Sequence, residues 1–192
     1  MTIDRLVYAA KLATGKRVLD LGGALMPGTA AQCPFARAYA AIGKAAREYR
    51  VVDFQDKPGV DYVLDFNRAE SIPALRKIVA EYKPELILCM EVLEHINRHC
   101  DVMDVLADAV DGGAQVFITV PNISNWITAA LNWNHDHIVV FTKGVASRFV
   151  GRSALGRHGV KAFGCIGKYR ASWPVVYAAG LFQPISWAFL IE

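Results

Sequence analysis

The sequence has few cysteines and no zinc-binding or redox motif. Its four cysteines, Cys33, Cys89, Cys100 and Cys165, form no Cys-x-x-Cys pair and do not cluster with histidines. This spacing argues against a structural zinc site. Free thiols are typical of a reducing compartment, so we predict a cytoplasmic location.

A signal peptide and long apolar runs are also missing. Charged residues Asp4, Arg5 and Lys11 interrupt the start of the chain, which is not the pattern of a signal peptide. No uninterrupted apolar run reaches the roughly 20 residues that a transmembrane helix needs. The tail, residues 171–191, is apolar but is broken by two prolines and a glutamine. We expect it to pack in the core, and a homo-oligomer contact or a peripheral membrane contact stays open.

A strong excess of charge of one sign is absent as well. The chain has 21 Lys and Arg residues against 18 Asp and Glu residues, which gives a net charge of +3. The basic residues are scattered rather than clustered, so we expect no nucleic-acid partner. Hydrophobic residues make up 54% of the 192 residues. This composition argues against disorder, and the length predicts a single domain over residues 1–192.

The hydrophobic patterns alternate between strands and helices along the chain. The predicted strands are residues 16–21, 49–53, 60–64, 85–89, 115–120, 160–164 and 185–191. The predicted helices are residues 3–12, 29–46, 71–82, 101–110 and 142–150. The alternation indicates an α/β fold, with a parallel sheet that carries helices on both faces. An insertion at about 122–142 follows the fifth predicted strand.

Polar residues and glycines follow three of these strands. The first strand runs into Asp20, Gly22 and Gly23, and the second ends at Asp53. The fourth runs into Cys-Met-Glu-Val-Leu-Glu-His, residues 89–95. Glycine lets a backbone approach a ligand closely, and a strand-end carboxylate can accept hydrogen bonds from ribose hydroxyls. These strand ends therefore predict a nucleoside-containing cofactor at the carboxyl edge of the sheet.

This combination resembles the class I S-adenosylmethionine-dependent methyltransferases. Residues 89–95 are most similar to the small-molecule branch that includes the ubiquinone-pathway O-methyltransferases. The resemblance implies a Rossmann-like, mostly parallel, seven-stranded sheet whose last strand is antiparallel. It also implies that the cofactor is S-adenosylmethionine. The loop departs from the family pattern, because Ala24 and Met26 stand where glycine is common.

The resemblance also implies roles for individual residues. Asp20, Gly22 and Gly23 would form the cofactor loop, and Asp53 would bind the ribose. Asp65, after the third strand, would lie near the adenine amino group. Two further residues are placed at the end of the fourth strand: Met90 would flank the adenine, and Glu91 would face the methionine end or the substrate.

The insertion carries the candidates for the acceptor side. Its tryptophans and asparagines suit a planar or sugar-like ligand, and a lid packed on the core is an equally good interpretation. The i,i+2 spacing of His135 and His137, without further ligands, argues against a metal site. The resemblance places His137 near the acceptor, where histidine can act as a general base. Glu94 and His95 point apart on a helical turn, so we expect His95 to be structural.

The sequence thus predicts methyl transfer from S-adenosylmethionine to a small-molecule acceptor, at oxygen, with His137 and Glu91 as catalytic residues. Two alternatives stay open. One is a non-catalytic relative that keeps the fold as a binding or scaffold protein. The other is an NAD-dependent oxidoreductase, which is disfavoured because Gly-x-Gly-x-x-Gly is absent.

Overall fold

The computed structural model of the chain describes residues 2–23, 34–125, 137–166, 184 and 186–192. The strands in these residues are β1 (Thr2–Asp4), β2 (Arg17–Leu21), β3 (Glu48–Asp53), β4 (Tyr62–Val63), β5 (Leu86–Met90), β6 (Gln115–Pro121), β7 (Val160–Ile166) and β8 (Ser186–Ile191). The α-helices are α1 (Arg5–Ala13), α2 (Pro34–Ala45), α3 (Ser71–Tyr82), α4 (His99–Asp111) and α5 (Lys143–Arg152). Two short 3₁₀ helices span Leu93–His95 and Ala154–Arg157.

The strands form one sheet in the order β1-β7-β8-β6-β5-β2-β3-β4. Every neighbouring pair is parallel except those made by β8, which runs antiparallel to both β6 and β7. This confirms the mostly parallel sheet with an antiparallel last strand.

The sheet has an eighth strand where seven were expected. The extra strand is β1, which pairs in parallel with β7 at the edge of the sheet. Its last residue, Asp4, caps α1, because the carboxylate accepts hydrogen bonds from the backbone N–H groups of Leu6 and Val7. A strand this short, joined directly to a helix, leaves no pattern of its own in the sequence.

Predicted and observed element ends differ by a few residues. Helix α4 begins at His99, two residues before the prediction, and β4 is shorter than the predicted 60–64. The first residues of the predicted helix 29–46 lie outside the described residues. So do most of the insertion 122–142 and most of the apolar tail.

Both faces of the sheet are covered, as β5 shows. All five of its residues are buried. Ile87 and Cys89 belong to the core on one face, together with residues of α3, α4 and α5. Leu86, Leu88 and Met90 belong to the core on the other face, together with residues of α1. The alternation follows the period of two of a strand and confirms helices on both faces.

The strand order determines where a ligand can bind. After β2 the chain builds β3 and β4 on one side, whereas β5 and β6 lie on the other side. In parallel α/β sheets such a reversal opens a crevice at the carboxyl ends of the strands. No helix in the described part of the chain is long and apolar enough to cross a membrane.

Candidate functional site

A cleft of about 660 Å³ opens at the carboxyl ends of β2, β3 and β5. Its volume lies in the range of about 300–1,000 Å³ that is usual for small-molecule sites. Four of the eight predicted site residues line it: Gly22, Asp53, Asp65 and Glu91. The other lining residues are Phe54, Gln55, Lys57, Leu64, Phe66, Asn67, Val92, His95 and Ile96.

Gly22 forms the end of the cleft next to β2. Its φ of +75° is in the left-handed region, and its N–H donates to the carbonyl of Val52 over 2.7 Å. A Cβ at this position would lie only 2.5 Å from Cγ2 of Val92. Both the backbone conformation and the packing therefore require glycine, and the backbone itself forms this wall of the cleft.

Asp20 lies beneath the loop rather than among the residues that line the cleft. Its carboxylate accepts a hydrogen bond from the hydroxyl of Tyr49. A Cβ on Gly23 would lie 2.6 Å from Oδ2 of Asp20, so the loop backbone packs directly on this carboxyl. Burial, with a smaller contribution from the charge of Asp53, raises the pKa of Asp20 from 3.8 to about 7, although the Tyr49 hydrogen bond opposes the rise.

This raised pKa predicts a pH-dependent stability. Between about pH 4 and pH 7 the folded protein keeps a proton on Asp20 that the unfolded chain releases. The free energy of unfolding should therefore fall as the pH rises, with a slope from this group of up to about 1.4 kcal/mol per pH unit. Urea unfolding between pH 4.5 and 7.5 should show a shallower fall for Asp20→Asn than for the wild type.

Asp56→Asn is the matched control for this measurement, because Asp56 is exposed and lies outside the residues that line the cleft. It should follow the wild-type slope. Parallel slopes in the wild type and Asp20→Asn would show that Asp20 is ionised in the folded protein across this range.

Asp53 and Phe54 form the part of the cleft next to β3. Asp53 is buried, and its Oδ1 accepts a hydrogen bond from the backbone N–H of Gln55 over 2.9 Å. The ring of Phe54 is 64% exposed and lines the cleft. A large apolar ring exposed to water in a cleft is a natural surface for a planar ligand. The sequence analysis missed Phe54, because its place directly after a strand-end carboxylate does not show that the ring is exposed.

Asp65 lines the cleft from the loop that follows β4. Its Oδ1 accepts a hydrogen bond from the backbone N–H of Asn67 over 3.0 Å, and its Oδ2 is 3.5 Å from Nε of Arg68. The side chain of Asn67 accepts from the backbone N–H of Asn97 over 2.8 Å. The bond to Asn97 attaches the loop to the segment that follows the 3₁₀ helix Leu93–His95, and the two local contacts fix the Asp65 side chain within the loop.

Glu91 is held rigidly at the end of β5. Its φ of +56° is unusual for a residue with a side chain and costs on the order of 1–3 kcal/mol. Its Oε1 forms an ion pair with Nη1 of Arg5 at 2.7 Å and accepts from the hydroxyl of Thr119 at 2.8 Å. The hydroxyl of Ser186 lies 3.4 Å from Oε2. Met90, in contrast, is buried in the core and does not line the cleft.

Arg5 is a site residue that the sequence analysis missed. It is buried, and Nη1 also donates to the hydroxyl of Ser186 over 3.0 Å. No local pattern joins an arginine in the first helix to a glutamate after the fifth strand. The contact depends on the position of α1 against the sheet.

His137 and His95 meet at the rim of the cleft. Their rings are edge to face, with 4.6 Å between the ring centres. The carbonyl of Glu94 accepts hydrogen bonds from the backbone N–H groups of Ile138 and Val139, over 2.7 and 3.3 Å. These bonds bring the segment after β6 against the 3₁₀ helix. His135 and the tryptophans of the insertion lie outside the described residues.

Glu94 lies beside the two histidines, with its Oε1 3.9 Å from Nε2 of His95. Its side chain is 1% exposed. Burial raises the pKa of Glu94 well above its usual range, and the negative charge of Glu91 raises it further. Within the described residues, its Oε2 has no hydrogen-bond partner.

Comparison with known proteins identifies the family. Residues 2–157 match the family model described as "Methyltransferase domain". No curated protein matches the chain in sequence.

Three solved structures share its fold at low sequence identity. A SAM-dependent methyltransferase from Archaeoglobus fulgidus is 14% identical, with a TM-score of 0.56 over 98% of this chain and 94% of that chain. A chain of the complex between the Haloferax volcanii Trm112 methyltransferase activator and a methyltransferase is 13% identical, with a TM-score of 0.58 over 96% and 87%. A chain of the Pnkp1/Rnl/Hen1 RNA repair complex is 14% identical, with a TM-score of 0.50 over 98% and 40%.

The finer resemblance to the ubiquinone-pathway branch stays a prediction. The family match includes β2, β3 and β5, the strands at whose ends the cleft opens. The chain therefore belongs to the methyltransferase domain family, and its cofactor is S-adenosylmethionine.

Proposed function

We propose that this protein transfers a methyl group from S-adenosylmethionine to an oxygen atom of a small-molecule acceptor. The observation that carries the proposal is one continuous cleft, which extends from Asp53 at β3 to Glu91 and His95 at β5. One end suits a nucleoside and the other end has charged and titratable groups. Such an arrangement holds two molecules side by side.

The residues at the β2 and β3 end fit the nucleoside part of the cofactor. The wall at Gly22 has no side chain, so a ligand can approach the backbone closely. We assign the ribose hydroxyls to Asp53, a stacking surface to Phe54, and the adenine amino group to Asp65. Asp20, Gly23 and Met90 would act from beneath, by supporting the loop and the end of β5.

The residues at the other end fit the methyl acceptor. When bound, S-adenosylmethionine supplies an already activated methyl group, so the protein mainly has to position the acceptor. His137 is the candidate base for a hydroxyl proton, because imidazole titrates near neutral pH. Glu91, fixed by Arg5 and Thr119, is a rigid acceptor of hydrogen bonds from the substrate.

The acceptor class is a choice between two kinds of molecule. The RNA repair complex among the similar structures raises the possibility of an RNA substrate. The basic residues of this chain are scattered along the sequence, and phosphate binding needs them clustered. We therefore propose a small molecule, no nucleic-acid partner and, from the cysteines, a cytoplasmic location.

S-adenosylhomocysteine, the reaction product, should stabilise the folded protein. At about 100 times its Kd it adds about 2.7 kcal/mol to the free energy of unfolding. For a chain of this size the Tm should rise by about 5–10 °C. Thermal unfolding with and without the ligand measures this, and NAD at the same concentration is the control.

The outcome distinguishes the three functions considered for this fold: methyltransferase, oxidoreductase and non-catalytic scaffold protein. No shift in a folded sample would contradict the cofactor site, and a shift with NAD alone would favour an oxidoreductase. A screen of phenols, sugars, amines and an RNA oligonucleotide, read out by release of S-adenosylhomocysteine, then tests the acceptor. Turnover of RNA alone would contradict the small-molecule proposal, and binding without any turnover would favour the scaffold alternative.

A further inference from the structure

Glu94, His95 and His137 form a cluster of metal-ligand type. Each offers one ligand atom, a carboxylate oxygen or a ring nitrogen, and the three atoms all lie within 4.8 Å of one another. They come from two segments that the hydrogen bond from the N–H of Ile138 to the carbonyl of Glu94 joins over 2.7 Å. A backbone hydrogen bond therefore holds the two segments that carry these side chains against each other.

The carboxyl of Glu94 is the second observation. It is 1% exposed, and within the described residues its Oε2 has no hydrogen-bond partner. A buried carboxyl group either keeps its proton or, when it is ionised, is paired with a cation or coordinated to a metal. The nearby Glu91 already has the guanidinium of Arg5. The other oxygen of this carboxylate, Oε1, lies 3.9 Å from Nε2 of His95. A cation between the Glu94 carboxylate and the two imidazoles would pair the buried group and offset the repulsion from Glu91.

We propose that Glu94, His95 and His137 bind a divalent transition-metal ion. Two imidazole nitrogens and one carboxylate are a common donor set for such ions, and three protein ligands leave a coordination position open. Imidazole ligands disfavour Mg²⁺ and Ca²⁺, which prefer oxygen. The sequence argument against a metal considered His135 and His137 alone, whereas Glu94 and His95 come from a distant segment.

The site borders the acceptor end of the cleft, because His95 lines that cleft. An ion there would lower the pKa of a hydroxyl that occupies its open position. His137 would then act as a ligand and not as the base, because a nitrogen that is bound to a metal cannot take a proton. This consequence rests on the proposed function, whereas the binding of the ion does not.

Metal titration of the purified chain tests the proposal. Untagged protein is treated with EDTA, desalted and titrated with Zn²⁺, Mn²⁺ or Co²⁺ by calorimetry, and the visible spectrum of Co²⁺ reports imidazole ligation. We expect one equivalent to bind, and Mg²⁺ to bind more weakly. Glu94→Gln, His95→Ala and His137→Ala should each raise the Kd at least about 10- to 100-fold, the range known for loss of outer-shell partners alone.

The matched control is His158→Ala, because His158 lies beside Asp111 and does not line the cleft. This variant should bind the ion like the wild type. Circular dichroism checks that each variant is folded, and His95→Ala is the safest one because that side chain is 38% exposed.

Two outcomes overturn the proposal: no stoichiometric binding of any of the three ions, or equal binding by the wild type and folded His95→Ala. Neither cofactor nor acceptor is present in the titration. Failure here therefore leaves the thermal shift with S-adenosylhomocysteine, and with it the proposed function, untouched.

Discussion

His137→Ala should reduce turnover of a hydroxyl acceptor by about 10²–10⁴-fold, the usual contribution of a general base. The affinity for S-adenosylhomocysteine should stay nearly unchanged. The affinity should not change because His137 follows β6 at the rim of the cleft, whereas Gly22 and Asp53 lie at the other end of the cleft. Steady-state kinetics with the best acceptor of the screen, and calorimetry with S-adenosylhomocysteine, measure the two quantities.

His95→Ala is the matched variant for this experiment, since its ring touches that of His137. If His137 acts as a base alone, His95→Ala keeps most of the turnover. If the two histidines share an ion, both variants lose turnover, and added metal restores neither. Normal turnover by folded His137→Ala on a hydroxyl acceptor would exclude both roles and move the search to His135 and Glu91.

Asp53→Ala should weaken the binding of S-adenosylhomocysteine by about 1.5–3 kcal/mol, the range for hydrogen bonds to a charged group. This corresponds to a Kd that is about 10- to 150-fold higher. Asp53 is buried at the end of β3 and lines the cleft, so a ribose there would meet a carboxylate that is already shielded from water. Calorimetric titration of the folded variant measures the change.

Asp56→Ala is the control, because it removes an exposed carboxylate three residues later that does not line the cleft. Its affinity should equal that of the wild type. If Asp53→Ala binds as tightly as the wild type, the carboxylate serves only to cap the turn through the N–H of Gln55.

Local patterns were sufficient to predict the sheet and the β2 and β3 end of the cleft. Buried parallel strands are continuous apolar runs, so β5 could be recognised as a strand from its sequence. A carboxylate or glycine directly after a strand marks the carboxyl edge of the sheet. Asp53 and Gly22 could be placed in this way. Phe54 was missed because an aromatic residue after a strand looks like core until its exposure is known.

The β5 end of the cleft could not be predicted in the same way, because contacts distant in sequence build it. His95 approaches His137 only because the carbonyl of Glu94 accepts the N–H of Ile138. Glu94 and His95 were expected to point apart on a turn, but Nε2 of His95 lies 3.9 Å from Oε1 of Glu94, and the His95 ring also meets a residue from another segment. Glu94 looked like an ordinary polar residue, and its burial follows from tertiary packing.

Arg5 and Glu91 form an ion pair, so a shortened clone changes the site if it begins after Arg5. A clone that begins at β2 would keep every motif by which the fold is recognised, including Gly22, Asp53 and Asp65. It would also remove the guanidinium that lies between Glu91 and Ser186. The amino-terminal helix is therefore part of the structure that holds Glu91, and a shortened protein has to include it to keep this carboxylate paired.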